Sequence, residues 1–337
     1  NASVVGVIAN PEAGKDGRRL IAHGATIDNQ SKVSIVRRVL VGLGALGLER
    51  VLLMPDRQRL GARALQGLAS RPEPIPRAEV LDLPVSDEPA DSSRAAEAMR
   101  RAGAGCLVVL GGDGTVRVVA RGAGEVPIVP ISTGTNNVLP AAVEGTVAGL
   151  AAAAVALGLV PREAAAYRHK RLAVWVDGEP VSDALVDVAV LAGRFIGSRA
   201  VWNIDALRQV VVTRASPAAI GISAIAGVVR PLAPQDPRGL ALRLAPDAPR
   251  RVLAAVGPGL VARLGITEVR EVAIGERVDV VSERPLVLAM DGEREIALPG
   301  EDTAWLTLHL DGPWIVDAAR VMAALAAGGH LTIWEAS

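Results

Sequence analysis

The first half of the chain alternates short apolar runs with segments in which apolar residues recur every three to four positions. The short runs predict strands, and the periodic segments predict helices. The predicted strands are 4–9, 51–54, 80–83, 106–110 and 128–131, and the predicted helices are 35–46, 60–68, 92–102 and one that starts near Thr115. Strands that alternate with helices are typical of a mostly parallel sheet with right-handed crossovers. We therefore expect an α/β domain over residues 1–145.

After Arg162 the pattern changes to short strands separated by Gly, Pro and Asp turns, as at Asp177-Gly178 and Asp291-Gly292. The predicted strands are 172–176, 185–191, 240–244, 251–256, 278–281, 286–290 and 304–310. This pattern is typical of antiparallel β structure. We therefore expect a β domain over residues 146–310 that holds the substrate.

Three further segments complete the plan of the chain. Residues 317–327 have a helical pattern, so we expect the C-terminal segment 311–337 to return to the first domain. Residues 145–161 are uncharged and rich in Ala and Gly, but fall short of the ~20 strongly apolar residues of a membrane span, so we interpret them as a buried helix. The uncharged stretch 215–229 is interpreted as core, with a hydrophobic lid or pocket wall as the alternative.

Composition narrows the class of protein. A chain of 337 residues is too long to fold around one small hydrophobic core, so two domains are expected. A formal net charge of +0 and only five Trp, one Tyr and one Phe argue against nucleic-acid binding. The single cysteine, Cys106, allows no internal disulfide, and no basic region precedes the first apolar run. We therefore expect a cytoplasmic protein without stable membrane insertion.

The most informative polar segment is Gly111-Gly112-Asp113-Gly114-Thr115, directly after the predicted strand 106–110. In an open α/β sheet, ligands bind at the carboxyl ends of the strands. The glycines allow backbone N–H groups to approach a phosphate, and Asp113 lies where a metal ion or a substrate hydroxyl can meet it. Gly and Asp also dominate plain strand–helix turns, so the motif alone leaves both interpretations open.

Other polar segments follow other strands. Residues 10–16, NPEAGKD, contain Gly-Lys without the spacing of a Walker loop. Residues 131–137, ISTGTNN, offer hydroxyls and amides to a phosphate or ribose, and Thr135 or Asn136 can equally cap a helix. Asp291-Gly292-Glu293 is also explained by a hairpin turn. Each segment therefore has a structural explanation when it is taken alone.

The order of these segments is more specific than any one of them. The strings NPEAGKDGRRL, LGGDGTVRVVA and ISTGTNNVLP, with a late DGE, resemble the superfamily of NAD kinases and diacylglycerol or sphingosine kinases. They look most like its ATP-NAD kinase-like branch, which includes acetoin-catabolism protein X. The resemblance implies an α/β domain with a mostly parallel sheet, a C-terminal antiparallel β-sandwich and an ATP site in the cleft between them.

The resemblance also implies roles for individual residues. Asp113 would be catalytic and would orient or deprotonate the acceptor hydroxyl beside Mg²⁺. Asn137 and Asp187 would contact the substrate, while Asp291 and Glu293 would face the metal, directly or through water. The residues that would bind ATP and its phosphates are Asn10, Lys15, Gly111, Gly112, Gly114, Thr115, Thr133, Gly134, Thr135 and Asn136.

The resulting expectation is an ATP- and Mg²⁺-dependent kinase that acts on a hydroxyl of a soluble small molecule, in a homo-oligomer. NAD, phosphorylated at the 2′-hydroxyl of its adenosine ribose, is the first candidate. NAD kinases usually carry an Asn-Glu pair where this chain has Val186-Asp187, so the acceptor stays open. The alternatives are a lipid (diacylglycerol or sphingoid) kinase with an acyl pocket at 215–229, and a nucleotide-binding regulator with little turnover. The basic run 168–171 would contact phosphate or form a solvated linker.

Overall fold

The computed structural model describes residues 3–13, 27–70, 72–134, 137–193, 204–282, 284–292 and 294–332. The strands are β1 (Val4–Ala9), β2 (Arg50–Leu53), β3 (Arg77–Val80), β4 (Cys106–Gly111), β5 (Ile128–Ser132), β6 (Ala166–Arg168), β7 (Arg171–Val176), β8 (Glu179–Ala184), β9 (Asp187–Ala192), β10 (Leu207–Val212), β11 (Arg238–Leu244), β12 (Arg251–Gly257), β13 (Leu260–Ala273), β14 (Arg277–Asp279), β15 (Leu286–Met290), β16 (Arg294–Leu298), β17 (Ala304–His309) and β18 (Trp314–Val316). The helices are α1 (Asn29–Ala45), α2 (Leu60–Leu68), α3 (Pro89–Arg101), α4 (Asp113–Ala123), α5 (Gly145–Ala156), α6 (Arg162–Ala165), α7 (Ile222–Val229) and α8 (Ala318–Ala327).

The first sheet has the strand order β3-β2-β1-β4-β5-β18-β6. Its strands run parallel except β6, which pairs with β18 in the antiparallel sense. Every residue of β1 and β4 is buried. Strands of a parallel sheet are covered on both faces, which explains their unbroken apolar sequences. The predicted α/β fold of the N-terminal region is therefore confirmed.

Helices cover both faces of this sheet. Helices α1, α2, α5 and α8 pack on one face, and α3 and α4 pack on the other. Helices α1 and α5 approach so closely that a Cβ atom on Gly42 or on Gly149 would lie 2.3 Å from a backbone oxygen of the other helix. The small residues of α5 thus serve tight helix packing. In the described residues, no helix is long and apolar enough to cross a membrane.

The position of α5 changes the expected domain boundary. The boundary after residue 145 falls at the first turn of α5, and Ala148, Ala151 and Ala152 are buried in the same core as α1 and β1. Because its packing partners belong to the first sheet, α5 is part of the first unit and not of the β domain. Two elements near the C-terminus also pack on this unit, since β18 pairs with β5 and α8 contacts α5.

The second unit consists of two antiparallel sheets that pack face to face. The larger has the order β12-β13-β11-β10-β9-β15-β16, and the smaller has the order β14-β17-β7-β8. Leu172, Val174 and Leu306 of the small sheet share one core with Val188 and Leu288 of the large sheet. This is the sandwich that the resemblance implied. It presents the beginning of β9 and the end of β15 to α4 of the first unit.

Of the stretch 215–229, Ala215 and the helix α7 pack in the core of the second unit, whereas residues 216–221 are partly or fully exposed. Helix α7 buries Ile222, Ile225 and Ala226 in a cluster with residues of the large sheet, on the face opposite to the small sheet. The core interpretation therefore describes this helix, and an acyl pocket does not. The lipid-kinase alternative keeps the motifs NP, GGDGT and DGE on which it also rests.

Candidate active site

The turn between β4 and α4 brings the predicted phosphate-binding glycines to the carboxyl edge of the first sheet. Gly111 ends β4, Gly112 is the N-cap residue and Asp113 begins α4. A Cβ atom on Gly111 would lie 2.4 Å from the Cβ atom of Thr115, so only glycine allows the strand and the first helical turn to meet here. The first N–H groups of a helix lack intrahelical partners, and together with the helix dipole they favour an anion.

Asp113 is nearly buried, with an exposed fraction of 6%, and its carboxylate binds the chain that follows β5. Val138 N donates to both carboxylate oxygens, at 3.0 and 3.2 Å, and Leu139 N donates to Oδ1 at 2.8 Å. These hydrogen bonds hold residues 138–139 against the first turn of α4. Asp113 thus has a structural role that the sequence motif did not reveal.

The segment after β1 contacts the same turn through Asn10. Asn10 Nδ2 donates to Thr115 Oγ1 at 3.0 Å, and Asn10 Oδ1 accepts from Glu12 N at 2.9 Å. Lys32, in the first turns of α1, is fully buried beneath this segment. Its ammonium donates to the carbonyl oxygens of Asn10, Pro11 and Ala13 at 3.0, 3.0 and 2.8 Å. Sequence reasoning missed Lys32, because the predicted helix began only at residue 35, whereas the observed α1 begins at Asn29.

The segment after β5 lies at the same carboxyl edge of the first sheet, beside the β4–α4 turn. Thr133 N donates to Gly111 O at 3.1 Å, and Asn137 Nδ2 donates to Ser132 Oγ at 2.7 Å. A Cβ atom on Gly134 would lie 2.7 Å from Asn137 Oδ1, so glycine is required where the chain folds back. The Thr133 side chain is fully buried, yet its hydroxyl has no hydrogen-bond partner in the part of the chain that the structure describes.

Arg117, on α4, contacts the second unit. Its side chain is only 6% exposed, and its Nη1 donates to Asp183 O at 3.2 Å and lies 3.5 Å from Asp291 Oδ2. The Asp291 carboxylate is itself fully buried and accepts from the backbone N–H groups of Leu185, Val186 and Asp187, at 3.1, 2.8 and 3.3 Å for the Oδ1 contacts. Burial raises the pKa of Asp291, and Arg117 and these N–H donors oppose the rise. Arg117 was also missed by sequence reasoning.

These contacts give Asp291 a structural role that the sequence did not reveal. Its oxygens face backbone amides and Arg117, and a contact to a metal ion stays a prediction. Asp187, 6% exposed, donates its own N–H to Asp291 and accepts from Asp291 N at 3.0 Å, which places it at the same junction. Among the described residues, no group of three or more His, Cys, Asp and Glu side chains stands where it could hold a metal ion.

The two central residues of the basic run 168–171 fit neither of the roles expected for it. His169 and Lys170 are fully buried at the junction between the units. His169 Nε2 hydrogen-bonds Leu185 O at 2.9 Å, and Lys170 Nζ donates to the backbone oxygens of Asp236 and Arg238. Burial lowers the pKa of His169 to about 3, with the charge of Arg214 adding to the shift, and lowers the pKa of Lys170 to about 8. These two residues are therefore neither phosphate contacts nor part of a solvated linker, because packing against the second unit encloses them.

The structure thus brings one set of predicted residues together at the edge of the first sheet: Asn10, Gly111, Gly112, Asp113, Gly114, Thr115, Thr133, Gly134 and Asn137. Asp187 and Asp291 meet one another on the second-unit side, joined to α4 through Arg117. The predicted residues Lys15, Thr135, Asn136 and Glu293 lie outside the described residues.

Comparison with known proteins agrees with this division of the chain. Residues 5–159 match the family model of the ATP-NAD kinase N-terminal domain, and residues 170–311 match that of the acetoin catabolism protein X C-terminal domain. The chain belongs to the acetoin catabolism protein X family, since it is 39% identical over 330 residues to acetoin catabolism protein X of Cupriavidus necator, covering 95% of this chain and 92% of the relative.

Solved structures with a similar arrangement are more distant in sequence. Two from Bacillus anthracis str. Sterne, each described as a "putative diacylglycerol kinase", are 12% and 11% identical, with TM-scores of 0.47 and 0.44. Each comparison covers 93% of this chain, and 97% and 98% of the other chains.

Proposed function

We propose that this protein is an ATP-dependent phosphotransferase that acts on a hydroxyl group of a small molecule, with the 2′-hydroxyl of the adenosine ribose of NAD as the first candidate. The match of residues 5–159 to the ATP-NAD kinase N-terminal domain supports this proposal. So does the convergence of Asn10, the N-terminus of α4 and Thr133 at one edge of the first sheet. A homo-oligomer stays a prediction.

The observation that carries the proposal is the buried Thr133 hydroxyl. It lies next to the β4–α4 turn and has no hydrogen-bond partner among the described residues. A buried polar group without a partner costs about 1–3 kcal/mol. Ser223 also buries a hydroxyl without a partner, but Thr133 differs from it by lying at the carboxyl edge of the first sheet, where a bound ligand would supply the missing acceptor. A phosphate oxygen beside the N–H groups of the first helical turn is an acceptor of the right kind.

Phosphoryl transfer asks mainly for positioning and for stabilisation of charge. Bound ATP would supply the phosphoryl group and Mg²⁺ would neutralise its charge. The ion is commonly held by substrate phosphates and only one or two carboxylates. On the protein side, the N–H groups of α4 would bind phosphate, and Asn10 would fix Thr115. Asp113 would orient the acceptor hydroxyl and accept its proton, since a carboxylate has about four lone-pair positions and can bind two N–H groups besides a substrate.

A nucleotide-binding regulator with little turnover is the second candidate. Two observations favour it: the oxygens of Asp113 already accept from Val138 and Leu139, and Val186 stands where NAD kinases usually have an amide. Measured ATP binding together with ADP release separates the two candidates. The purified protein is given Mg-ATP with NAD, with sugars or polyols, or with diacylglycerol vesicles. Acceptor-dependent ADP release supports the kinase, whereas ATP binding without stimulated release supports the regulator.

Replacement of Thr133 by valine tests the site itself. Because a hydrogen bond to a charged group contributes about 1.5–3 kcal/mol, Thr133→Val is expected to weaken ATP binding by roughly 10- to 100-fold in calorimetry. Ser223→Ala is the matched control, since Ser223 is also fully buried and its hydroxyl also lacks a partner among the described residues, but it lies in the core of the second unit. Neither change removes a protein hydrogen bond, so both variants should fold. Equal ATP affinity in the two variants would contradict a phosphate site at Thr133.

A further inference from the structure

Lys32 occupies a position that an apolar residue would ordinarily take. It lies in the first turns of α1, next in sequence to the fully buried Val33, and its own side chain is fully buried. Burial of an ammonium group is costly unless hydrogen bonds replace its water. A cation in the first turns of a helix is also disfavoured by the helix dipole. Burial and the helix dipole alone therefore do not explain a lysine at this position.

The contacts of Lys32 explain it better. Its ammonium donates three hydrogen bonds, at 2.8–3.0 Å, to the backbone oxygens of Asn10, Pro11 and Ala13. These residues form the segment that leaves β1 at the carboxyl edge of the first sheet. Because all three carbonyl groups accept hydrogen bonds from the same ammonium group, Lys32 fixes the path of residues 10–13.

The effect of Lys32 reaches the phosphate-binding turn through Asn10. The Asn10 backbone oxygen is bound by Lys32, and the Asn10 side chain donates to Thr115 Oγ1 at 3.0 Å. Thr115 belongs to the first turn of α4, where the N–H groups face the proposed phosphate site. A continuous set of hydrogen bonds thus runs from α1 through the segment after β1 to α4.

We propose that Lys32 is the positioning residue of the nucleotide site: its ammonium holds residues 10–13 so that Asn10 and the first turn of α4 are arranged for the phosphates of ATP. The proposal rests on the proposed function only in naming ATP as the ligand. Lys32 acts through Asn10, so the expected defect concerns ATP and not the acceptor.

The chain provides a matched control for this proposal. Lys170 is the other fully buried lysine of the described residues, and it also donates to backbone oxygens, those of Asp236 and Arg238. Those oxygens lie in the second unit, away from residues 10–13. Lys32→Met and Lys170→Met therefore remove the same kind of group from two places. Lys32→Gln keeps two N–H donors at the first place, and it serves as the test variant if Lys32→Met does not fold.

The measurements are the dissociation constant of Mg-ATP by calorimetry, the melting temperature, and KM for ATP against kcat where turnover is found. Since small misplacements in a site can cost up to about 100-fold, we expect Lys32→Met to weaken ATP binding at least about tenfold. Lys32→Gln should give a smaller loss, and Lys170→Met should keep the wild-type affinity. Equal ATP affinities for the folded Lys32 and Lys170 variants would overturn the proposal. A wild-type protein that binds no ATP would instead refute the proposed function.

Discussion

Single charged residues in this protein position the backbone of distant segments. Asp113 binds the N–H groups of Val138 and Leu139, and Asp291 binds those of residues 185–187. Lys32 and Lys170 do the same with carbonyl oxygens. A buried charge with its hydrogen bonds satisfied tolerates little displacement, because each lost bond leaves a polar group without a partner. These residues therefore determine how accurately the edge of the first sheet is arranged.

The replacement Asp113→Asn separates the catalytic role of this carboxylate from its structural one. We expect ATP binding to be kept and kcat to fall by about 100- to 10,000-fold, the usual contribution of a positioned acid or base. An amide has one acceptor oxygen, so one of the two backbone N–H groups will bind less well, and stability should fall by about 1–3 kcal/mol.

The control for this variant is Asp91→Asn. Asp91 is also nearly buried and accepts from two consecutive backbone N–H groups, Ser86 N and Asp87 N, each at 2.9 Å, but it lies in α3. The control should lose stability without loss of turnover. Turnover in Asp113→Asn close to that of the wild type, measured as ADP release, would refute a catalytic role for Asp113.

At the scale of secondary structure elements, α4 serves both units. Its first turn forms the proposed phosphate site, its apolar side packs on the first sheet through Val116 and Val119, and Arg117 contacts the second unit. The next turn adds an exposed ion pair between Arg121 and Asp183. Because one helix carries all of these contacts, we expect the placement of the second unit and the geometry of the proposed phosphate site to be coupled.

Comparison of a single and a double variant tests the buried ion pair between α4 and the second unit. Arg117→Met leaves the buried Asp291 charge without its partner, so we expect a loss of about 3–5 kcal/mol in the free energy of unfolding by urea. Arg117→Met combined with Asp291→Asn should recover much of that loss, since the unpaired charge is gone. Arg121→Met, which breaks only the exposed pair on the same helix, should cost less than about 1 kcal/mol. Equal losses for the Arg117 and Arg121 single variants would show that the buried pair does not link the units.

The sequence predicted those elements whose pattern of buried residues can be recognised within the element itself. The strands β1, β4 and β15 are continuous apolar runs, and α2 has the predicted bounds of 60–68. The long strand β13 was missed because its two halves pair with different partners, β12 and β11, and its exposed and buried residues do not alternate regularly. Helix α7 was missed as a helix because it is apolar on all sides, which leaves no periodicity to recognise.

At the scale of the whole molecule, the glycine-rich turn and the two polar segments around it were predictable because the carboxyl ends of β1, β4 and β5 must meet at one edge of a parallel sheet. The residues that connect these segments to one another and to the second unit were not predictable. Lys32, Arg117 and His169 acquire their roles from contacts with segments far away in sequence, and an isolated charge in an apolar pattern does not reveal its partner. For the same reason the hydrogen bonds from the backbone N–H groups of residues 185–187 to Asp291 could not be predicted.

The junction between the units should make the whole protein sensitive to acid. His169 is buried there, and packing together with the charges of Arg214 and Lys170 lowers its pKa to about 3 from 6.5. Between these values the unfolded chain binds a proton at His169 and the folded chain does not. The contribution of His169 is therefore fully present above pH 6.5 and is lost as the pH falls toward 3, by about 1.4 kcal/mol for each pH unit well below 6.5.

Urea unfolding of the wild type and of His169→Gln at pH 7, 6 and 5 tests this expectation. Glutamine keeps an N–H donor for Leu185 O and cannot take up a proton. The stability of the variant should therefore decrease less between pH 6 and pH 5 than that of the wild type, by about the 1 kcal/mol that one titrating group contributes over that interval. The two proteins should show the same pH dependence above pH 7. Parallel curves down to pH 5 would mean that His169 can be protonated without separating the two units.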